Sequence, residues 1–341
     1  MSAKRRLVGW FDHRWVRRVV ISPAVIVGAF FALLLSPLLL ALAAFTDIAR
    51  RRRRWPRVRL TILAIGALLI ETAGIATTFV IWVATGCGVG GARRWRWRAH
   101  RGLMGWYTRS MFALIVSALG SSIYWRDNAD LSTGPVVLIA RHTSFFDALI
   151  PAILLSQRNR LLAHHVVTHG LRYAPCIDIV GHRFPNRFIK RVPGVGSKEL
   201  APISAIGGVL DSGSGAIIFP EGTFRTDERF ERQVLRLRDG QPELADRAQL
   251  LNHVLPPRVS GTHALLLGAP NADLVVCVNT GLEAFGSVRQ ILDHPYSDAP
   301  VIVETWRIPR ADIPMRADEF GLWLFGQYVE IDNWVTANRA R

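Results

Sequence analysis

The sequence predicts an α/β fold, a mostly buried mixed sheet flanked by helices, behind an N-terminal membrane helix pair. Three observations carry this. Residues 19–45 form a run without a single charge, and residues 60–84 form a second with Glu71 as its only charge. Each exceeds the roughly 20 residues that a helix needs to cross the hydrocarbon core. From about residue 121 onward, short β-branched runs alternate with helical stretches, which is the pattern of a buried sheet covered by helices. Hydrophobic residues make up 50% of the 341, a fraction high for a purely soluble chain, so part of the protein is expected in lipid.

The formal charge is +16 and almost wholly arginine, because lysine occurs only at Lys4, Lys190 and Lys198. That balance favours an anionic partner, whether a phospholipid surface, a phosphate-bearing substrate or nucleic acid. Arginine blocks at residues 50–54 and 93–101 adjoin apolar runs, where basic residues hold anionic headgroups. Membrane phospholipids are therefore the expected partner, and nucleic acid is not. Cys87, Cys176 and Cys277 are odd in number and far apart, which fits neither a disulfide framework nor a zinc-ligand spacing.

Element by element, the first apolar run contains Ser22-Pro23 and Ser36-Pro37, two places where a membrane helix can kink. A basic start at Lys4, Arg5 and Arg6 also fits a signal peptide, but the run is too long and lacks a small-residue cleavage pattern. Glu71 reads as a carboxyl facing a neighbouring helix, protonated or bonded to a residue such as Thr72, with a functional intramembrane acid as the alternative. Seven arginines lie between the runs and six basic residues on either side, so two spans and a re-entrant hairpin both account for the charge. Either way the C-terminal domain is expected in the cytoplasm. Residues 93–101 interleave Arg with Trp and lead into an apolar-rich helix over 103–119, an interfacial arrangement. The expected organisation is a membrane anchor over 1–92, an interfacial segment over 93–120 and a catalytic domain over 121–341.

Within that domain, strands are expected at 136–140, 166–168, 216–219, 274–278 and 301–305, and helices at 145–156, 198–211, 261–267 and 317–338. The first strand runs into His142 and, five residues on, Asp147. On a uniform helix the two would stand about 140° apart, so only a strand-to-helix junction can pair them. With Thr143 or Ser144 capping the helix, the carboxylate could hold one imidazole nitrogen and leave the other as a base. His142 could equally be a cap or a core residue. About 75 residues later a strand ends in Phe219-Pro220-Glu221-Gly222-Thr223-Phe224-Arg225, where Gly222 allows close backbone approach and Arg225 offers a forked cation for phosphate. A surface turn with a solvated Glu-Arg pair is the plainer reading of that block alone. Two strand exits would bring both blocks to one sheet edge.

These blocks, RHTSFFD over 141–147 and FPEGTFR over 219–225, resemble the first and third signatures of the glycerolipid acyltransferases typified by 1-acylglycerol-3-phosphate acyltransferase. Between them Phe188-Ile189-Lys190-Arg191 resembles the family's F-I-D-R block, and Leu255-Pro256-Pro257-Arg258 with Gly261 resembles the L-P-R-x-x-G of the lysocardiolipin acyltransferase branch. Trp323, Leu324, Phe325, Val329, Glu330 and Asp332 echo that branch's C-terminal helix. The resemblance covers roughly residues 135–335. It implies transfer of a fatty acyl group from acyl-CoA or acyl carrier protein, as co-substrate with no further cofactor and no metal. The acceptor is the hydroxyl of lysophosphatidic acid or another lysophospholipid, in phospholipid synthesis or remodelling. His142 and Asp147 inherit the catalytic roles, and Arg191, Glu221, Gly222, Thr223 and Arg225 the substrate-binding ones. Three positions depart from the family: Arg141 replaces Asn, Lys190 replaces Asp, and Phe224 stands where Arg is usual, with Arg225 one residue late.

Two other classes fit parts of the pattern. A lipid-binding scaffold could keep the fold without turnover, and a lipid hydrolase could use the same pair to activate water or Ser144. The sequence has no G-x-S-x-G elbow for a hydrolase nucleophile. Gly86, Gly88 and Gly91 spell G-x-G-x-x-G but follow a membrane run rather than a strand. His164, His165 and His169 fall along an expected strand and read as packed or solvated residues rather than metal ligands.

Overall fold

A computed structural model of the protein describes residues 13–87, 92–189, 196–286, 291 and 300–339. Four helices come first in the chain: α1 (Arg14–Leu34), α2 (Ser36–Ala49), α3 (Pro56–Ala84) and α4 (Arg93–Leu119). Then follow β1 (Ile123–Asp127), β2 (Val136–Ala140), α5 (Ile150–Ile153), β3 (Leu162–Thr168), α6 (Pro175–Gly181), β4 (Arg187–Ile189) and α7 (Gly196–Gly207). The chain continues through β5 (Ser214–Ile218), α8 (Asp227–Gly240), α9 (Pro242–Ala248), α10 (Val259–Gly268), β6 (Asp273–Thr280), β7 (Val301–Ile308) and α11 (Ala317–Asn338). The described residues form two compact units, one within 13–119 and 168–188, the other within 120–167 and 189–339.

In the first unit the apolar run over 19–45 is not one helix. It breaks at Leu35, because Pro37 in the first turn of α2 cannot continue the hydrogen-bond ladder of α1. Pro23, by contrast, lies inside α1. Asp47 of α2 is fully buried and accepts the N–H groups of Arg57 and Val58 at 2.9 and 3.2 Å, so it caps α3 and tightens the arginine-rich turn between them. The Arg/Trp block and the apolar stretch after it form the single helix α4. Glu71 accepts Tyr107 Oη–H at 2.7 Å and Cys176 N–H at 2.6 Å, joining α3 to α4 and α6 rather than bonding its neighbour Thr72. Arg17 adds a buried ion pair to Asp178 at 2.8 Å. Helices α1 and α3 are long and apolar enough to cross a membrane, and Phe30, Phe31, Leu34, Leu38, Phe45 and Phe79 are exposed on this unit. Such an apolar surface favours association with lipid.

The sheet has the order β1-β7-β6-β2-β5-β3-β4, with the pairs β1–β7, β2–β6, β2–β5 and β3–β5 parallel and β6–β7 antiparallel. Every residue of β2 and β5 is buried, which is why both read as continuous apolar runs rather than alternating ones. Helices α7, α10 and α11 cover the sheet through Ile203, Ile206, Leu265, Phe320, Leu324 and Tyr328. The expected helix over 145–156 is instead a 3₁₀ turn at Asp147–Leu149, the short α5 and a π turn at Leu154–Arg158. The hydrogen bonds that hold Asp147 tighten its start.

Candidate active site

Strands β2, β5 and β6 run parallel, with Ile139 opposite Ile218 and Ala140 opposite Cys277, so their C-terminal ends open on one edge. The chain leaving β2 carries residues 141–147 and the chain leaving β5 carries residues 219–225. The two blocks therefore meet where ligands bind open α/β sheets.

His142 Nδ1 lies 2.9 Å from Asp147 Oδ1. The carboxylate is fully buried, and its Oδ2 accepts the N–H groups of Thr143 and Ser144 and the Thr143 hydroxyl. Four protein donors thus replace the water lost on burial. The turn that makes this possible is fixed by Ser144, whose Oγ accepts the N–H groups of Phe146 and Asp147 at 3.1 and 3.2 Å. Ser144 is fully buried in that capping role. With Nδ1 committed to Asp147, Nε2 is the nitrogen left to exchange a proton with a ligand. His142 is 14% exposed, enough for contact from one side.

Glu221 is the hinge between the blocks. Its Oε1 accepts the His142 N–H at 2.8 Å and its Oε2 accepts the Leu255 N–H at 3.0 Å, so both oxygens hold backbone. Burial pushes the carboxyl up to about 7 against the opposing pull of those two N–H groups and of the Arg141 charge. Leu255 is steadied in turn by Asp332 of α11, which accepts the N–H groups of Asn252, His253 and Val254.

Arg141, the first departure from the family pattern, is 2% exposed and faces inward. It donates to the carbonyls of Asn279 and His253 and to Glu283 Oε1 at 2.8 Å. Burial raises the Glu283 carboxyl, but the charge and hydrogen bond of Arg141, together with the backbone N–H groups of Gly281 and Glu283, outweigh this and hold it below its ordinary value. Arg141 therefore ties the exits of β2 and β6 together.

The remaining expected residues divide. Arg225 donates to Asp227 Oδ1 at 2.8 Å and lies over the Phe230 ring at 5.0 Å, so it leans on α8. Thr223 is half-buried beside it. Gly222 has φ of +68°, and a Cβ there would stand 3.1 Å from Cζ and Nε of Arg258. Arg191 and Lys190 lie outside the described residues, as do Gly88 and Gly91.

An aromatic wall, not anticipated from the sequence, surrounds the imidazole. The rings of Phe219 and Phe224 lie 4.6 and 4.5 Å from it, and Phe145 packs on Phe224 at 4.7 Å. The third departure is thus an apolar contact to His142 in place of a cation. Its signal was present in the four phenylalanines of the two blocks, of which Phe145, Phe219 and Phe224 form the wall. Phe145 is 53% exposed, so the wall continues to the surface. Among the described residues no group of three or more His, Cys, Asp or Glu side chains could hold a metal ion.

The family model described as Acyltransferase matches residues 123–259. No curated protein sequence matches the chain. Among solved structures, that of the 1-acyl-sn-glycerophosphate (LPA) acyltransferase PlsC from Thermotoga maritima is similar at 15% identity, with a TM-score of 0.45. That likeness covers 81% of this chain and 98% of that one.

Proposed function

We propose that this chain, whose residues 123–259 form an Acyltransferase-family domain, moves a fatty acyl group from a thioester donor to the hydroxyl of lysophosphatidic acid or another lysophospholipid. The observation that carries the reading is the His142–Asp147 pair at the exit of β2, held by its backbone to Glu221 at the exit of β5. In this mechanism His142 Nε2 accepts the proton of the acceptor hydroxyl as its oxygen attacks the thioester carbonyl. The tetrahedral adduct collapses, the C–S bond breaks, and the leaving thiolate takes the proton back from the imidazolium. Asp147 fixes the tautomer and stabilises the imidazolium. No protein nucleophile is required, in keeping with the use of Ser144 Oγ as a cap.

Arg191 and Arg225 are proposed as cations toward the acceptor headgroup, and Gly222 and Thr223 as the turn beside it. Glu221 acts through the backbone of His142. The acyl chain is proposed to enter along Phe145, Phe219 and Phe224, and the donor to be acyl-CoA or acyl carrier protein. The three basic blocks around the apolar helices favour an integral membrane protein whose catalytic domain faces the cytoplasm. The test is a radiolabelled acyl-CoA assay on membranes containing the protein, against lysophospholipids and glycerol 3-phosphate. Labelled diacyl product from one acceptor is expected, and release of free fatty acid without transfer would replace the reading with hydrolysis.

A further inference from the structure

The departure at Phe224 leaves the third block without its usual cation, and Arg225 is turned to Asp227 and Phe230. Another arginine stands over the same turn. Arg258 opens α10, and its N–H donates to the Pro220 carbonyl at 2.9 Å, three residues after Leu255 binds Glu221. Residues 255–258 are thus strapped along residues 220–222 at both ends. The guanidinium lies against the α-carbon of Gly222, in the space a side chain would fill. Glycine at that position, with its φ of +68°, serves both the turn and the approach of Arg258.

Among the described residues Arg258 has no carboxylate partner, and its charged neighbour is a second cation, Arg236 of α8, also without one. Both arginines are exposed at the surface, yet partial desolvation of the Arg258 guanidinium over the turn, with the Arg236 charge, holds it below its ordinary value. Two neighbouring guanidinium charges that repel each other without an acid between them form a locus that a bound anion would neutralise. The loop that carries Arg258 also carries the N–H that positions Glu221 and, through it, His142. An anion held there lies within the catalytic turn rather than at a remote patch.

We propose that Arg258, seated over Gly222 and supported by Arg236, is the principal cation for the phosphate monoester of the acceptor, ahead of Arg225. The assignment deepens the acyltransferase reading and rests on it for the identity of the acceptor. A guanidinium fork matches phosphate oxygens, and an acceptor lacking the phosphate gains nothing from it.

The experiment compares lysophosphatidic acid with monoacylglycerol of the same chain, using wild type, Arg258→Ala, Arg258→Lys, Arg258→Gln and Arg225→Ala in the full-length protein. Loss of a charge-assisted contact predicts a roughly 10- to 100-fold rise in KM for lysophosphatidic acid in Arg258→Ala and Arg258→Gln. Arg258→Lys falls between these and wild type, monoacylglycerol transfer and donor KM stay within about twofold, and Arg225→Ala raises KM for lysophosphatidic acid by less than Arg258→Ala does. A larger effect of Arg225→Ala, or equal loss on both acceptors, overturns the assignment. Binding of lysophosphatidic acid in detergent, measured without donor, separates the two claims. Arg258-dependent binding without transfer in wild type upholds this assignment and removes the acyltransferase reading. Transfer with binding that ignores Arg258, or no binding at all in wild type, removes this assignment.

Discussion

At the scale of single residues, the geometry of the site depends on how its buried carboxylates are satisfied. Asp147 has four donors, and one of them is the imidazole it orients. Asp147→Asn places an amide NH₂ among those donors and weakens the support of an imidazolium. Acyl transfer by this variant is expected to fall roughly 10³- to 10⁴-fold, read as initial rate at matched expression. Glu221 makes a pH-dependent contribution. Its folded value of about 7 lies above its ordinary 4.5, so the native state binds more protons than the unfolded chain between the two. The stability it contributes is complete below about 4.5 and is lost as pH rises through about 7, on the order of 3 kcal/mol in all. The thermal midpoint should fall over that window in wild type and flatten there in Glu221→Gln. An unchanged slope in the variant would assign the titration to another group. The sequence placed His142, Asp147 and Glu221 just past strand ends, and the role expected of Glu221 came from the family resemblance. It could not disclose that Glu221 holds backbone, because the Leu255 N–H arrives from 34 residues away.

At the scale of elements, what was legible follows from burial on both faces. Strands β2, β5 and β6 are buried along almost their whole length and therefore read as apolar runs, and α11 matches its expected bounds of 317–338. Strand β1 escaped because it alternates Ile, Trp and polar residues at the sheet edge, and β4 because it has three residues. Helix α8 escaped because its apolar stripe is only the buried Val234 with the half-buried Phe230 and Leu237 in a strongly charged segment. Helices α7 and α10 cross at glycine: a Cβ on Gly268 would lie 1.9 Å from the Ser204 carbonyl, and one on Gly207 2.4 Å from the Leu265 carbonyl. Because the obstacles are backbone, Gly268→Ala must separate the helices. A loss of about 3 kcal/mol or more is expected from overpacking of this kind, measured by denaturant unfolding of detergent-solubilised protein. Ala tolerated there within about 0.5 kcal/mol would show that the crossing is looser than described.

At the scale of the whole molecule, the chain joins a helical unit with exposed apolar faces to an α/β unit that carries the site. Residues 168–188 group with the first unit through Arg17–Asp178 and Glu71–Cys176, contacts far apart in sequence that local patterning does not disclose. If α1 and α3 sit in the bilayer, alkaline carbonate washing should leave intact protein in the membrane pellet, and recovery in the supernatant would contradict the anchor. The catalytic claim is independent of how the anchor crosses. Its most direct test is the initial rate of radiolabelled acyl transfer in membranes with matched amounts of wild type, His142→Ala and Ser144→Ala. A positioned base contributes roughly 10²- to 10⁴-fold, so His142→Ala should lose about that factor. Ser144→Ala should keep substantial transfer, less about 1 kcal/mol of stability from the lost cap. Near wild-type transfer in His142→Ala, or loss confined to Ser144→Ala with a trapped acyl-serine, would contradict the account.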